Sequence, residues 1–237
     1  IIGVCGCTSL IIAGFALRDS ISSMIPNQFG EISKYNISIS LTEEISGDDL
    51  SKLEEEILQN EQITSILSAN VQSVKIIKDD NNQSIQLIVP SDTSKLNEFI
   101  TLRDRKNKDN TYTLDKSGVI ITEKLSQVLD IKQGDIITIE NSDGDRREVT
   151  VSNITENYLM HYIYMSPELY NEVFDAKIQS NQIYAKTQEM TEEQENELGK
   201  ILLNNYDYIS GVSFTSASED MFATVMDNMD MVVWILI

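Results

Sequence analysis

His161 is the sole histidine in a chain of 237 residues. It is therefore the one imidazole available for proton transfer near neutral pH, and any Ser-His-Asp arrangement must use it. No Gly-x-Ser-x-Gly turn supplies a matching nucleophile. The surrounding segment YLMHYIYM places His161 among Tyr158, Tyr162 and Tyr164. That pattern reads as a packed or partly exposed strand residue, and the four side chains together form a candidate contact patch for a partner or ligand such as a peptide or lipid.

Carboxylates are the other abundant reactive group. Asp79-Asp80 and Asp143-x-Asp145 have the density of calcium ligands, but the second run fails the EF-hand register. With Gly144 at the sixth position, the first would be Ile139 and the twelfth Thr150. Both runs read as turns. Glu54 to Glu56 and Glu192-Glu193 read as helix starts or solvated faces. Cys5 and Cys7 are the two cysteines, and alone they lack the ligands for a tetrahedral metal. No Gly-x4-Gly-Lys-Ser/Thr loop exists to hold nucleotide phosphates. The residues thus call for no catalytic, metal or cofactor site.

A net charge of -20 excludes nucleic-acid binding by the chain as a whole and disfavours its docking on anionic lipid. Apolar residues make up 41% and charged residues 24%, so a large core is affordable and disorder is not expected.

The elements that would position these groups follow from periodicity. KYNISISL (34–41) alternates as a strand. Leu50, Leu53 and Ile57 share a helix face after Gly47-Asp48, and Ile63, Ile66 and Leu67 predict that the helix resumes or gives another turn. VQSVKIIK (71–78) and SIQLIVP (84–90) form a hairpin. Downstream, NQIYAKT (181–187) is a strand. Thr191 to Gln194 is a capping box opening a helix with Leu198, Ile201 and Leu202 inward, and YISGVSFT (208–215) is a last strand. The resulting βαββ…βαβ order predicts an α+β fold, a ferredoxin-like α/β sandwich.

Residues 98–178 differ in texture. RDRKNKDN (103–110) is a polar loop. GVIITEKLSQVLDI (118–131) is a strand running into a helix, with Thr122 as N-cap and Leu125, Val128 and Leu129 inward. DIITIE and REVTVSNITE flank Asp143-Gly144, a hairpin signal, and Ser166-Pro167-Glu168 starts a helix. This predicts a small barrel-like β module inserted into the sandwich.

The ends are apolar. Ile1 to Leu17 is uncharged and Met231 to Ile237 is wholly apolar. Neither has the flanks of a signal peptide; each reads as part of a membrane span. Leu17, Ile21, Met24 and Ile25 form a stripe beyond the first, before Pro26 disturbs it. Phe222, Val225, Met226, Met229 and Val233 form a stripe before the second. The two are predicted to pack as a stalk, with residues of about 18–230 outside the cytoplasm.

GCTSLIIAGFALRDSI (6–21), the block 121–170 and VSFTSASEDMFATVMDNMDMVVWILI (212–237) resemble FtsX-like ABC transporter permeases of the MacB type. The resemblance implies a porter-type sandwich carrying an inserted β-rich module, flanked by two stalk helices, between the first and second spans. It divides the chain into 1–30 (span end and stalk), 31–97 (first part of the sandwich), 98–178 (inserted module), 179–215 (second part) and 216–237 (stalk and next span). It also implies a non-catalytic domain in the cell membrane, whose cytoplasmic ABC ATPase subunit is separate. Further implied partners are the remaining permease spans, a peptide, lipoprotein or cell-wall partner, and a second copy in a dimer. The expected function is coupling of ATP hydrolysis to movement, binding or export at the outer face. The alternative from the residues is the ligand-sensing domain of a two-span membrane receptor.

Overall fold

The computed structural model describes residues 2–42, 45–78 and 82–236. The first helix, α1 (Ile2–Ile25), does not stop at Pro26 but widens into a π-helical segment, Pro26–Ile32. Pro26 lacks the N–H that would bond back into α1, the helix changes type there, and the Asn27 side chain donates to the Ser23 carbonyl at 2.7 Å. Among the described residues, no helix is long and apolar enough to cross a membrane.

The sandwich follows the predicted order. Strand β1 (Ile37–Leu41) leads to α2 (Gly47–Leu58), which Ser46 caps by accepting from the Asp49 N–H. Strand β2 (Ile63–Ile77) pairs with β3 (Gln83–Pro90). Much later come β8 (Gln182–Thr187), α6 (Glu192–Asn205) and β9 (Ile209–Phe214). The antiparallel neighbours β2-β8-β1-β9 give the strand order of a ferredoxin-like sheet. Ile37, Ile39, Ile183 and Ala185 pack against Leu53 and Ile57 of α2 and Leu198 and Leu202 of α6. Each fully buried Leu or Ile there contributes about 1.5–3 kcal/mol relative to exposure.

Ile63, Ile66 and Leu67 lie in β2 and not in a helix, which corrects the sequence expectation. The register slips between Ile63 and Ser65 where β2 meets β8. This bulge breaks the two-residue alternation. Ile63 and Ile66 both reach the α2–α6 core, while Leu67 and Ala69 face the opposite side of the sheet. A strand with a bulge thus imitates helical spacing.

Between β3 and β8 lie α3 (Leu96–Phe99), β4 (Val119–Thr122), α4 (Glu123–Leu129), β5 (Ile136–Glu140), β6 (Arg146–Thr155), β7 (Tyr162–Tyr164) and α5 (Pro167–Phe174). The pairings run β2-β3-β7-β4-β6-β5 and return to β2, closing a six-stranded barrel. Its interior is aliphatic, including Val74, Leu87, Ile121, Ile139, Val151 and Ile163. Strand β2 is long enough to serve both layers: its first half pairs with β8 and its second with β3 and β5. The Asp143-Gly144 turn joins β5 to β6, with Gly144 at φ +84°.

Val128 and Ile201, expected inward, are exposed. In each helix the buried stripe is narrower than the apolar one, because Leu125 with Leu129 and Leu198 with Leu202 already fill the contact. Thr122 holds the N-cap position of α4, yet its hydroxyl does not cap. It accepts instead from the Tyr162 N–H of the neighbouring strand β7, at 3.4 Å. Asp79-Asp80 falls outside the described residues.

The last helix, α7 (Thr215–Leu236), packs alongside α1, and the Phe29 and Phe222 rings lie 6.4 Å apart.

Candidate functional site

The π-helical segment is sewn into the body. Gln28 and Ile32 are buried. The Thr101 N–H donates to the Ile32 carbonyl at 2.9 Å, and the Lys34 N–H to the Phe99 carbonyl at 2.7 Å. Gln28 spends its whole amide on the joint. Its Nε2 donates to Ser33 Oγ at 3.0 Å, and its Oε1 accepts from the Tyr158 N–H at 2.9 Å.

A charged network lies beside it. Arg103 Nε donates to Glu156 at 2.7 Å, and its Nη2 donates to Glu31 of the π-helical segment. Glu156 is 2% exposed, and Arg103 is the cation paired with it. Its other oxygen accepts from the Tyr158 hydroxyl at 2.5 Å. Lys108 Nζ donates to Glu31 at 2.7 Å and to Asn27 at 3.3 Å. The Lys108 and Arg103 hydrogen bonds hold the Glu31 carboxyl below its ordinary range. Burial and the bond to Glu156 push the Tyr158 phenol up to about 12. Arg103 keeps its charge because its bonds to Glu156 and Glu31 outweigh the desolvation that opposes it.

The backbone fixes this arrangement. Arg103 N–H donates to Thr155 Oγ1 at 2.9 Å, and the Glu156 N–H donates to the Arg103 carbonyl at 2.9 Å. The end of α1 is therefore tied through residues 99–103 to the end of β6, a barrel strand. Chemically the network transfers nothing: its groups are mutually satisfied. It connects the π-helical segment that follows α1 to the end of β6.

The expected tyrosine patch is not one surface, which is a correction. Tyr164 is buried at 3% exposure and Tyr162 is largely covered. Their rings, 5.9 Å apart, pack with Tyr35 and Tyr184 against the sheet face opposite α2 and α6. Tyr158 lies apart, in the joint, with Arg105 5.1 Å above its ring. His161 precedes β7 rather than lying in a strand, and its carbonyl accepts from the Gln86 N–H. The cause is a short loop. Met160 adopts φ +61°, and Asn157 Nδ2 holds the Leu159 and Met160 carbonyls, sending Tyr158 and Tyr162 in different directions.

Of the two stripes, Ile21, Met24, Ile25, Phe222 and Met226 are half-buried, while Val225 is exposed. The side chains of Leu17, Met229 and the cysteine pair lie outside those described. Sequence reasoning missed Gln28, Glu31, Arg103, Lys108 and Glu156. Pro26 was the one available signal, marking a change of helix type just where the joint begins.

The chain belongs to the family of MacB-like periplasmic core domains, whose profile matches residues 1–198. It is the extracytoplasmic domain of a MacB/FtsX-like ABC transporter permease. Two solved structures with low sequence identity are similar to it. The periplasmic region of MacB from Actinobacillus actinomycetemcomitans is 11% identical, with a TM-score of 0.46, covering 86% of this chain and 98% of that one. The extracellular domain of the ABC-type transporter YknZ from Gram-positive bacteria is 14% identical, with a TM-score of 0.43, covering 75% and 98%. No curated protein matches the sequence significantly.

Proposed function

We propose that the domain transmits motion. ATP binding and hydrolysis by a cytoplasmic ABC ATPase shift α1 relative to α7, two stalk helices leading to the membrane, and the joint carries that shift into the barrel. The outcome is movement of a peptide, lipoprotein or cell-wall partner at the outer face. The observation that carries this reading is the continuity of α1 through Gln28 and Ile32 into a buried network ending on β6. A helix that merely tethered the domain would need no buried ion pair.

The helix pair provides the test. If ATP drives the helices apart, resisting that motion must resist the ATP cycle, because coupling between sites is reciprocal. Cysteines in place of Phe29 and Phe222 in the full permease, bridged by a short cleavable dithiol reagent, are expected to slow ATP turnover. Cleavage of the bridge restores it. Turnover that is indifferent to the bridge contradicts the proposal.

A further inference from the structure

A cleft of about 400 Å³ opens between α1 and α4 just below the joint. Ser20, Ser23 and Met24 form its α1 wall. Arg105 and Lys124 face them, with Glu123 as the one opposing charge in the lining. In a chain of net charge -20, this lining holds two cations against one carboxylate. The neighbouring Arg103 and Lys108 are neutralised by Glu31 and Glu156, so the excess charge in the cleft comes from Lys124 beside the Arg105–Glu123 pair. Among the described residues, Lys124 has no ion pair. Arg105 is held in place from two sides, by Glu123 at 2.9 Å and by the Tyr158 ring. Only its Nη1 is engaged, so the rest of its planar fork remains for an oxyanion.

The other cleft groups want donors. Ser20 and Ser23 spend their hydroxyl protons on the carbonyls of Ala16 and Ser20, both at 2.9 Å, and keep lone pairs. Asn157 lines the same cleft, is 8% exposed, and its Oδ1 has no hydrogen-bond partner. Cations beside unpaired acceptors suit a ligand carrying both a phosphate and hydroxyl groups.

Position selects the source. Ser20 and Met24 stand two and six residues past Arg18, so the cleft lies about 3–9 Å of helix rise beyond the end of the apolar run. The polar headgroup layer is about 5–7 Å deep on each side of a bilayer. We propose that this cleft holds the headgroup of an anionic, hydroxyl-bearing phospholipid of the outer leaflet, of the phosphatidylglycerol kind. Arg105 and Lys124 take the phosphate, and Ser20, Ser23 and Asn157 accept from the glycerol hydroxyls. The remaining acidic surface is repelled by the same leaflet, so the contact also sets which side of the domain faces the membrane. The inference rests on the reading that α1 leads into a membrane.

The test uses the full permease with its ATPase in nanodiscs containing phosphatidylglycerol or phosphatidylcholine, each with a photoreactive headgroup. Crosslinks to residues 20–24 and 124–127 are expected from phosphatidylglycerol and not from phosphatidylcholine. Lys124→Glu lowers them about tenfold or more. Ser23→Trp, which fills the cleft, does the same, and Lys200→Glu on exposed α6 leaves them unchanged. Equal labelling by both lipids, or labelling unaffected by Lys124→Glu and Ser23→Trp, overturns the proposal. So does full displacement by soluble glycerol phosphate, which would make a free solute the ligand. A second photoreactive group on the acyl chain separates the two levels. Acyl labelling of residues 12–16 without headgroup labelling of the cleft refutes this inference alone. Absence of both refutes the membrane reading beneath it.

Discussion

Arg103 is the residue on which the joint depends. Removing it strands Glu156, 2% exposed, without a cation. Arg103→Met is therefore expected to cost about 3 kcal/mol of unfolding free energy, and Arg103→Met with Glu156→Met to recover most of it. Denaturant unfolding of both variants decides this; a single variant as stable as the double contradicts it. Glu31 gives a pH signature. Its carboxyl is held below the ordinary 4.5 in the folded state, first by Lys108 and then by Arg103. A depressed acid stabilises the fold above its unfolded pKa, and that stability is lost as pH falls through the folded value. The melting-temperature gap between wild type and Glu31→Gln should hold steady above about pH 5 and close as pH drops further. None of this was legible beforehand. RDRKNKDN looks like any solvated loop, and Glu156 looks like any strand end. Their burial depends on where β6 and the π-helical segment meet, which is 125 or so residues of chain folding apart.

Elements were far more legible, because their signals are local. Thr191 and Ser166 cap α6 and α5 at the positions their spacing implies, and the Thr191–Gln194 box is complete in both directions. The exception, β2, failed where a bulge replaced the two-residue period. The barrel was visible as a set of short strands. That it borrows β2 and β3 was not, since closure is a matter of pairing and not of periodicity. Gly118, just before β4, packs closely against the neighbouring strand. A Cβ there would lie 2.3 Å from the Thr150 carbonyl oxygen, in the backbone of the β5–β6 hairpin. Gly118→Ala should destabilise the domain by roughly 1–3 kcal/mol, because strand backbone cannot step aside as a side chain would. Calorimetry checks this, and an unchanged melting temperature would mean that β4 does not close the ring as described.

At the scale of the whole molecule, a ferredoxin-like sheet and a closed barrel share one long strand, and both terminal helices meet the body near the paired strands β1 and β9, where the Thr215 N–H donates to the Asn36 carbonyl at 2.9 Å. The π-helical segment after α1 also reaches the barrel, through Glu31 to Arg103 and Glu156, and α7 continues directly from β9 at the free edge of the sheet. The proposed transmission of motion requires that a relative shift of the helices reach the barrel through the Arg103–Glu156 side of this arrangement. The cleft beside α1 carries Arg105 and Lys124 against Glu123. The most direct measurement places spin labels in the full permease with its ATPase and follows two distances through the ATP cycle. One runs from Ile21 to Phe222, between the helices; the other from Ile21 to Asn110, between α1 and the loop beside the joint. Motion transmitted through a rigid joint predicts that the first distance changes while the second stays fixed. A constant first distance, or a second that varies as much as the first, would contradict it.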